Sequence, residues 1–137
     1  MTIQPTALSA QDRLREAGIR VTGPRVAILD FLMKDKSHPT CDRIFEAVKA
    51  NSEKMSLASV YNVTEKLYEA GLVRRLLSPD GEYHYDGVYG FHGHFFCNKC
   101  NSIYDIKCDR NINYEELDGA VVQTVALSTY GICPQCN

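Results

Sequence analysis

With 137 residues, 45% of them hydrophobic and 23% charged, the chain is globular and large enough for one core or two small ones. No apolar run is long enough to span a bilayer, and the opening stretch MTIQPTALSAQDRLREAG lacks the basic-then-apolar pattern of a secretory signal, so a soluble, cytoplasmic protein without a membrane partner is expected. The net charge of −2 favours no class: 12 basic and 12 acidic residues lie up to Gly90, and 3 basic and 5 acidic follow, so a nucleic-acid binder must use a local cluster such as Arg13, Arg15, Arg20 and Arg25, partly offset by Asp12 and Glu16.

Ser9 followed by Asp12 is a capping-type start for a short helix ending at Gly18. Thr22 and Pro24 open RVAILDFLMKD, in which Val26, Leu29 and Met33 keep helical spacing and Ile28 and Leu32 widen the stripe. Pro39 and Thr40 stop one segment and start the next, CDRIFEAVKA, which offers Ile44, Phe45 and Val48 to a core. Ser56 caps LASVYNVTEKLYEAGLV, with Leu57, Val60, Thr64 and Leu67 as the inward stripe and Gly71 at the helix stop; Ser59, Tyr61, Asn62 and Lys66 are left facing outward. VRRLL and EYHYD then form a hairpin around SPDG, a type I turn sequence. Helices followed by a small hairpin predict a winged helix-turn-helix, whose last helix enters the major groove of double-stranded DNA.

Beyond Gly90 the composition changes. FHGHFFC and SIYDIKC read as strands, NINYEELD as a short helix or turn, and AVVQTVALSTYGIC as a further strand. A piece of about 50 residues rarely holds together without a staple. Cys97, Cys100, Cys133 and Cys136 form two CxxC pairs with 32 residues between them, and each pair sets two thiolates on one tight turn, as a closed structural zinc site requires. Redox-active thiols or disulfides are the competing readings. His92 and His94 share a face if the segment is a strand, whereas Cys97 has the opposite parity. His-x-His is a chelating pair, and His38, Asp86 and Asp105 are the residues in whose company it gains weight, against the plain reading of polar residues on a solvated strand.

The order SHPT, SLASVYNVTEKLYEAGLV, HYD, HGHFFCNKC, IYD, YGICPQC, from about Arg13 to Cys136, resembles the ferric uptake regulator family of metal-dependent bacterial repressors. The resemblance implies an α+β protein: a winged-helix DNA-binding domain at 1–86, a hinge at 87–90, and a small C-terminal α/β dimerisation domain at 91–137 stapled by zinc on Cys97, Cys100, Cys133 and Cys136. It further implies a regulatory Fe(II) or Mn(II) held by His38, Asp86, His92, His94 and Asp105, and a homodimer that binds a palindromic operator. Aspartate at both acidic positions, with Asn62 in the last helix, matches the peroxide-sensing branch of the family, in which Fe(II)-driven oxidation of a ligand histidine, here His38 or His92, releases the DNA. An oxygen and nitrogen donor set without thiolate suits Fe(II) or Mn(II), whereas sulfur suits zinc.

The expected DNA contacts are Arg20, Arg25, Ser59, Tyr61, Asn62 and Lys66. Three features depart from the family pattern: Thr64 replaces an inward leucine, Glu65 puts a negative charge on the recognition helix, and residues 105–119 are about one helical turn short. Cys41, Cys108 and His84 lie near proposed ligands in sequence, but read as free thiols and an exposed wing residue. The alternatives are an iron- or manganese-uptake regulator without peroxide sensing and, from another class, a non-haem iron enzyme; no nucleophile-base arrangement marks a conventional enzyme.

Overall fold

The computed structural model describes residues 8–51, 55–109, 111 and 113–137. Residues 1–7 of the stretch read for a signal, and Ile112 of the expected helix or turn, lie outside the described residues. The chain divides into two compact units, Met1–Tyr89 and Gly90–Asn137.

The first unit contains α1 (Ala10–Glu16), α2 (Gly23–Lys34), α3 (Cys41–Val48), α4 (Leu57–Glu69) and a hairpin of β1 (Arg74–Leu77) and β2 (Tyr83–Asp86). Local chemistry sets the helix ends. Ser9 and Asp12 form a reciprocal capping box, and Thr22, Thr40 and Ser56 each accept a backbone N–H in the first turn of their helices. At the end of α4, Gly71 (φ +75°) donates to the Tyr68 carbonyl and Leu72 to that of Leu67, a Schellman closure that needs the left-handed backbone glycine adopts without strain.

The helices enclose Leu14, Ile28, Leu29, Leu32, Ile44, Val60 and Leu67, all fully buried. Each large side chain of this kind contributes about 1.5–3 kcal/mol on burial. Two details of the expected stripes change. On α2 the buried centre is Ile28, Leu29 and Leu32, with Val26 and Met33 only packed against its edge. On α4, Leu57 is 36% exposed and Val63 is buried instead. Leu57 is the first helical residue, and at that end of the helix it is Met55, preceding the cap, that joins the core.

The buried hydroxyl of Thr64 is satisfied by donation to the Val60 carbonyl (2.9 Å), and Cys41 Sγ lies 3.5 Å from it. Burial pushes the Cys41 thiol up, so this cysteine is a buried thiol in the core.

The hairpin pairs Arg74 with Asp86 and Leu77 with Tyr83, and Gly81 donates to the Ser78 carbonyl across the SPDG turn. Residues 87–89, read in the sequence as hinge, group with the first unit. A Cβ on Gly87 would lie 2.8 Å from the Leu32 carbonyl carbon, Val88 N–H donates to Asp86 Oδ1 (2.8 Å), and Arg74 Nη1 donates to the Val88 carbonyl (2.8 Å).

The second unit is a three-stranded sheet in the order β4 (Ile103–Ile106), β3 (Gly93–Cys97), β5 (Ser128–Gly131), followed by the CPQC turn. β4 runs antiparallel to β3, and β5 parallel to it. The strand expected over residues 120–133 is therefore only four residues long, because β3 offers partners to it only from His94 to Cys97. The expected helix or turn at 111–118 is a single 3₁₀ turn, Glu115–Leu117. No helix among the described residues is long and apolar enough to cross a membrane.

Arg75 fastens the hairpin to α4. Its guanidinium lies 4.1 Å from the Tyr68 ring centroid and 4.4 Å from that of Tyr83, and Nη1 donates to Glu65 Oε2 at 2.7 Å. Two cation–π contacts and a partly exposed ion pair together contribute about 1–2 kcal/mol. Arg75→Ala should lower stability by about that amount in urea unfolding, and Arg75→Lys should recover only part of it, since an ammonium lacks the planar stacking face. Equal stability of the alanine variant and the parent would show that the stack holds nothing.

Candidate metal centre and nucleic-acid interface

Cys97 ends β3, and the chain turns at once so that Cys100 comes back beside it, with the Cys100 N–H donating to Cys97 Sγ (3.5 Å). The turn after β5 repeats the device, and Cys133 N–H also donates to Cys97 Sγ (3.4 Å). All four sulfurs of Cys97, Cys100, Cys133 and Cys136 lie within 4.8 Å of one another. Cys100 and Cys133 are 3.7 Å apart, close to the roughly 3.8 Å edge of a sulfur tetrahedron with metal–sulfur bonds of about 2.3 Å.

The electrostatics fit a cation. The Cys100 N–H, followed by those of Cys133 and Lys99, holds the Cys97 thiol down to about 6, despite opposing desolvation. Cys136 is pushed up to about 12, chiefly by its hydrogen bond to Cys133. The Cys133 thiol is lowered as well, so two sulfurs of the cluster favour thiolate, the form in which cysteine binds a metal ion.

The histidine pair forms a separate group. β3 begins at Gly93, so His92 precedes the strand rather than alternating within it, and its ring meets that of His94 edge-on with centroids 4.6 Å apart. His94 pairs directly across the ladder with Asp105. His92 Nε2 and His94 Nε2 each lie 3.5 Å from the same oxygen, Asp105 Oδ1, so the three side chains converge although only two share the ladder. His94 is buried, while Asp105 is partly open.

The first unit holds the other expected ligands. His38 sits between α2 and α3, Asp86 ends β2, both are buried, and their ligand-type atoms lie within 4.8 Å of one another. Asp86 accepts the Val88 N–H and has Arg74 Nη1 3.7 Å away across the hairpin. His84 is half-buried rather than exposed; near the wing tip it lies with the exposed carboxylates of Asp80 and Glu82, their ligand-type atoms within 4.8 Å of one another. Among the described residues, Cys41 and Cys108 belong to no metal-binding group.

On the DNA-facing candidates the structure is selective. Tyr61, Asn62 and Lys66 project from α4 into solvent, and Arg20 is exposed. Arg25 is half-buried, its Nη1 donating to the Arg20 carbonyl (2.9 Å), and Ser59 Oγ is 2.8 Å from the cap hydroxyl of Ser56. Arg13 leaves the expected basic cluster: it is buried, with its guanidinium 5.1 Å from the Tyr89 ring centroid. Glu65, a negative charge on a helix expected to meet DNA, is paired with Arg75. Sequence reasoning missed that arginine, although hairpin register places it across from Tyr85 and diagonal to Tyr83.

Comparison with known proteins agrees with this architecture. Residues 16–130 match the model of the ferric uptake regulator family. The peroxide operon regulator of Bacillus subtilis is 35% identical over 132 residues, covering 93% of this chain and 91% of the relative. The peroxide-responsive repressor PerR of Staphylococcus epidermidis is 32% identical over 90% of this chain and 85% of its own. Among solved structures, the ferric uptake regulator of Pseudomonas aeruginosa with manganese superposes with a TM-score of 0.76 at 26% identity, over 93% of this chain and 99% of that one. PerR from Streptococcus pyogenes gives 0.53 at 33% identity, over 95% of each chain. These relatives are regulators, which sets aside the non-haem iron enzyme. A winged helical unit, a cysteine-stapled sheet and a family match over most of the length lead to one conclusion: the chain belongs to the ferric uptake regulator family.

Proposed function

We propose that the protein is a metal-dependent transcriptional repressor of peroxide-response genes, acting as a homodimer on a palindromic operator. The observation that carries this reading is the similarity to the peroxide operon regulator of Bacillus subtilis across nearly all of both chains, and the aspartates at residues 86 and 105 accord with it. Cys97, Cys100, Cys133 and Cys136 would hold a structural zinc, and a closed sulfur shell leaves no position for chemistry. His38 and Asp86 from the first unit, with His92, His94 and Asp105 from the second, would hold the regulatory ion.

Three imidazoles and two carboxylates form a nitrogen and oxygen donor set that suits Fe(II) or Mn(II). Bound Fe(II) would supply the reduction of hydrogen peroxide by which one oxygen atom enters a ligand imidazole and the other leaves as water, chemistry that Mn(II) would not supply. His38 and His92 are the imidazoles proposed to take up the oxygen as 2-oxo-histidine. Drawing ligands from both units makes binding favour one arrangement of the units over others, so losing a ligand releases that bias. DNA contact falls to Tyr61, Asn62 and Lys66 on α4, with Ser59 at its start, and to Arg20 ahead of α2 and Arg25 in its first turn. In the second unit the exposure of Val121 (85%), Val122, Leu127 and Ile132 supports burial against a second copy.

Three outcomes are expected. Stripping zinc with a strong chelator, or Cys100→Ser, should abolish the dimer and melt the second unit, as read by sedimentation and circular dichroism; a zinc-free dimer of unchanged stability would remove the staple. His38→Ala should eliminate Mn(II)-dependent binding to an AT-rich palindromic operator in fluorescence anisotropy while zinc content and fold are retained. Peroxide treatment of the Fe(II)-loaded protein should add the mass of an oxygen atom to the peptide containing His38 or His92. No uptake by fully iron-loaded protein would point instead to a metal-uptake regulator.

A further inference from the structure

His84 has no part in either proposed metal shell or in the proposed DNA contacts. On β2 it reaches the loop between α2 and α3, where its Nδ1 lies 2.7 Å from the main-chain oxygen of His38. A carbonyl oxygen only accepts, so Nδ1 carries the proton. In the next residue, the Tyr85 N–H donates to the Pro39 carbonyl at 2.9 Å. Two consecutive carbonyls of the loop are thus caught by two consecutive residues of the wing.

The loop needs such a hold. His38 has φ +55°, in the left-handed region that residues with a Cβ seldom occupy, and it precedes a proline, whose ring further disfavours helical-type backbone there. His38 is 5% exposed and Pro39 is fully buried, so these carbonyls depend on protein partners. A backbone in such a conformation persists only where its surroundings over-determine it. Asp86 lies two residues beyond His84 on the same strand, so β2 carries one expected ligand directly and grips the backbone of another.

We propose that His84 is a positioning residue for the regulatory metal: by donating from Nδ1 to the His38 carbonyl, it holds the His38 backbone in its left-handed conformation and aims that imidazole beside Asp86. The wing strand is thereby tied to metal occupancy through a main-chain contact. This inference rests on the ligand set proposed above, and its test separates the two.

The experiment is a Mn(II) titration of the zinc-loaded full chain, with zinc content and thermal midpoint measured alongside. His84→Ala should weaken Mn(II) binding about tenfold, the lower range for removing a residue that orients a ligand, at unchanged zinc content and with little change in midpoint. His84→Asn, whose Nδ2 occupies the place of Nδ1, should restore most of the affinity, while His84→Gln, whose amide reaches the place of Nε2, should not. A His84→Ala variant that binds Mn(II) as tightly as the parent overturns the proposal. So does rescue by glutamine in place of asparagine, which would make Nε2 the working atom. If the alanine variant folds poorly, the contrast between asparagine and glutamine decides. His38→Ala in the same titration tests the ligand set: retained affinity there removes both ideas, whereas its loss beside an unaffected His84→Ala removes only the positioning role.

Discussion

The return of Cys133 and Cys136 to the turn at Cys97 and Cys100 is the constraint on which the second unit depends. Its three strands have four or five residues each, and its buried apolar side chains among the described residues are Phe96, Cys97 and Cys133. So small a core cannot offset the entropy of ordering a sheet whose outer strand runs parallel to the centre. The sulfur cluster pins the end of β3 to the end of β5, and this contact closes the long excursion between the two CxxC turns. β3 in turn carries His94, three residues before Cys97, opposite Asp105. Zinc and the histidine group are chemically separate, yet one short strand transmits the position of the first to the second.

In the first unit the same economy appears with polar groups. Thr64 places a hydroxyl in an otherwise apolar core and returns it to the backbone of its own helix, so the substitution for an expected leucine leaves no orphaned donor. Glu65 would repel phosphate from the recognition helix, but Arg75, stacked between Tyr68 and Tyr83, takes up that charge. The contact joins helix and wing. A feature that weakens the DNA-binding reading when met in sequence thus serves the internal architecture of the domain.

The two donor sets also differ in kind. Sulfur donors are crowded onto two backbone turns whose N–H groups favour thiolate. The nitrogen and oxygen donors are spread more widely: His94 and Asp105 face each other across the β3–β4 ladder, Asp86 ends β2 and accepts the Val88 N–H, and His38 lies in a strained loop gripped by His84. A closed, turn-built shell suits a structural ion.

Much of this was legible in residue order, because it depends on local chemistry. Helix caps at Ser9, Thr22 and Ser56, the glycine stop at 71, the SPDG turn and the paired CxxC turns are short-range devices whose side chains and backbone partners lie within a few residues. The opposite parity of His94 and Cys97 along β3 was legible too, whereas His92 precedes the strand and parity does not apply to it. Long-range geometry was not legible. Where β5 starts depends on which part of β3 has an open edge; whether Leu57 or Val63 is buried depends on what else closes the core; and Arg13 is withdrawn from the surface beneath a tyrosine distant in sequence. Residue types and their spacing determined which ions this protein is suited to hold, because donor chemistry is a property of the side chain. Only the tertiary structure decided how each donor is aimed, because His38 owes its backbone conformation to a histidine 46 residues away, and no local preference favours it.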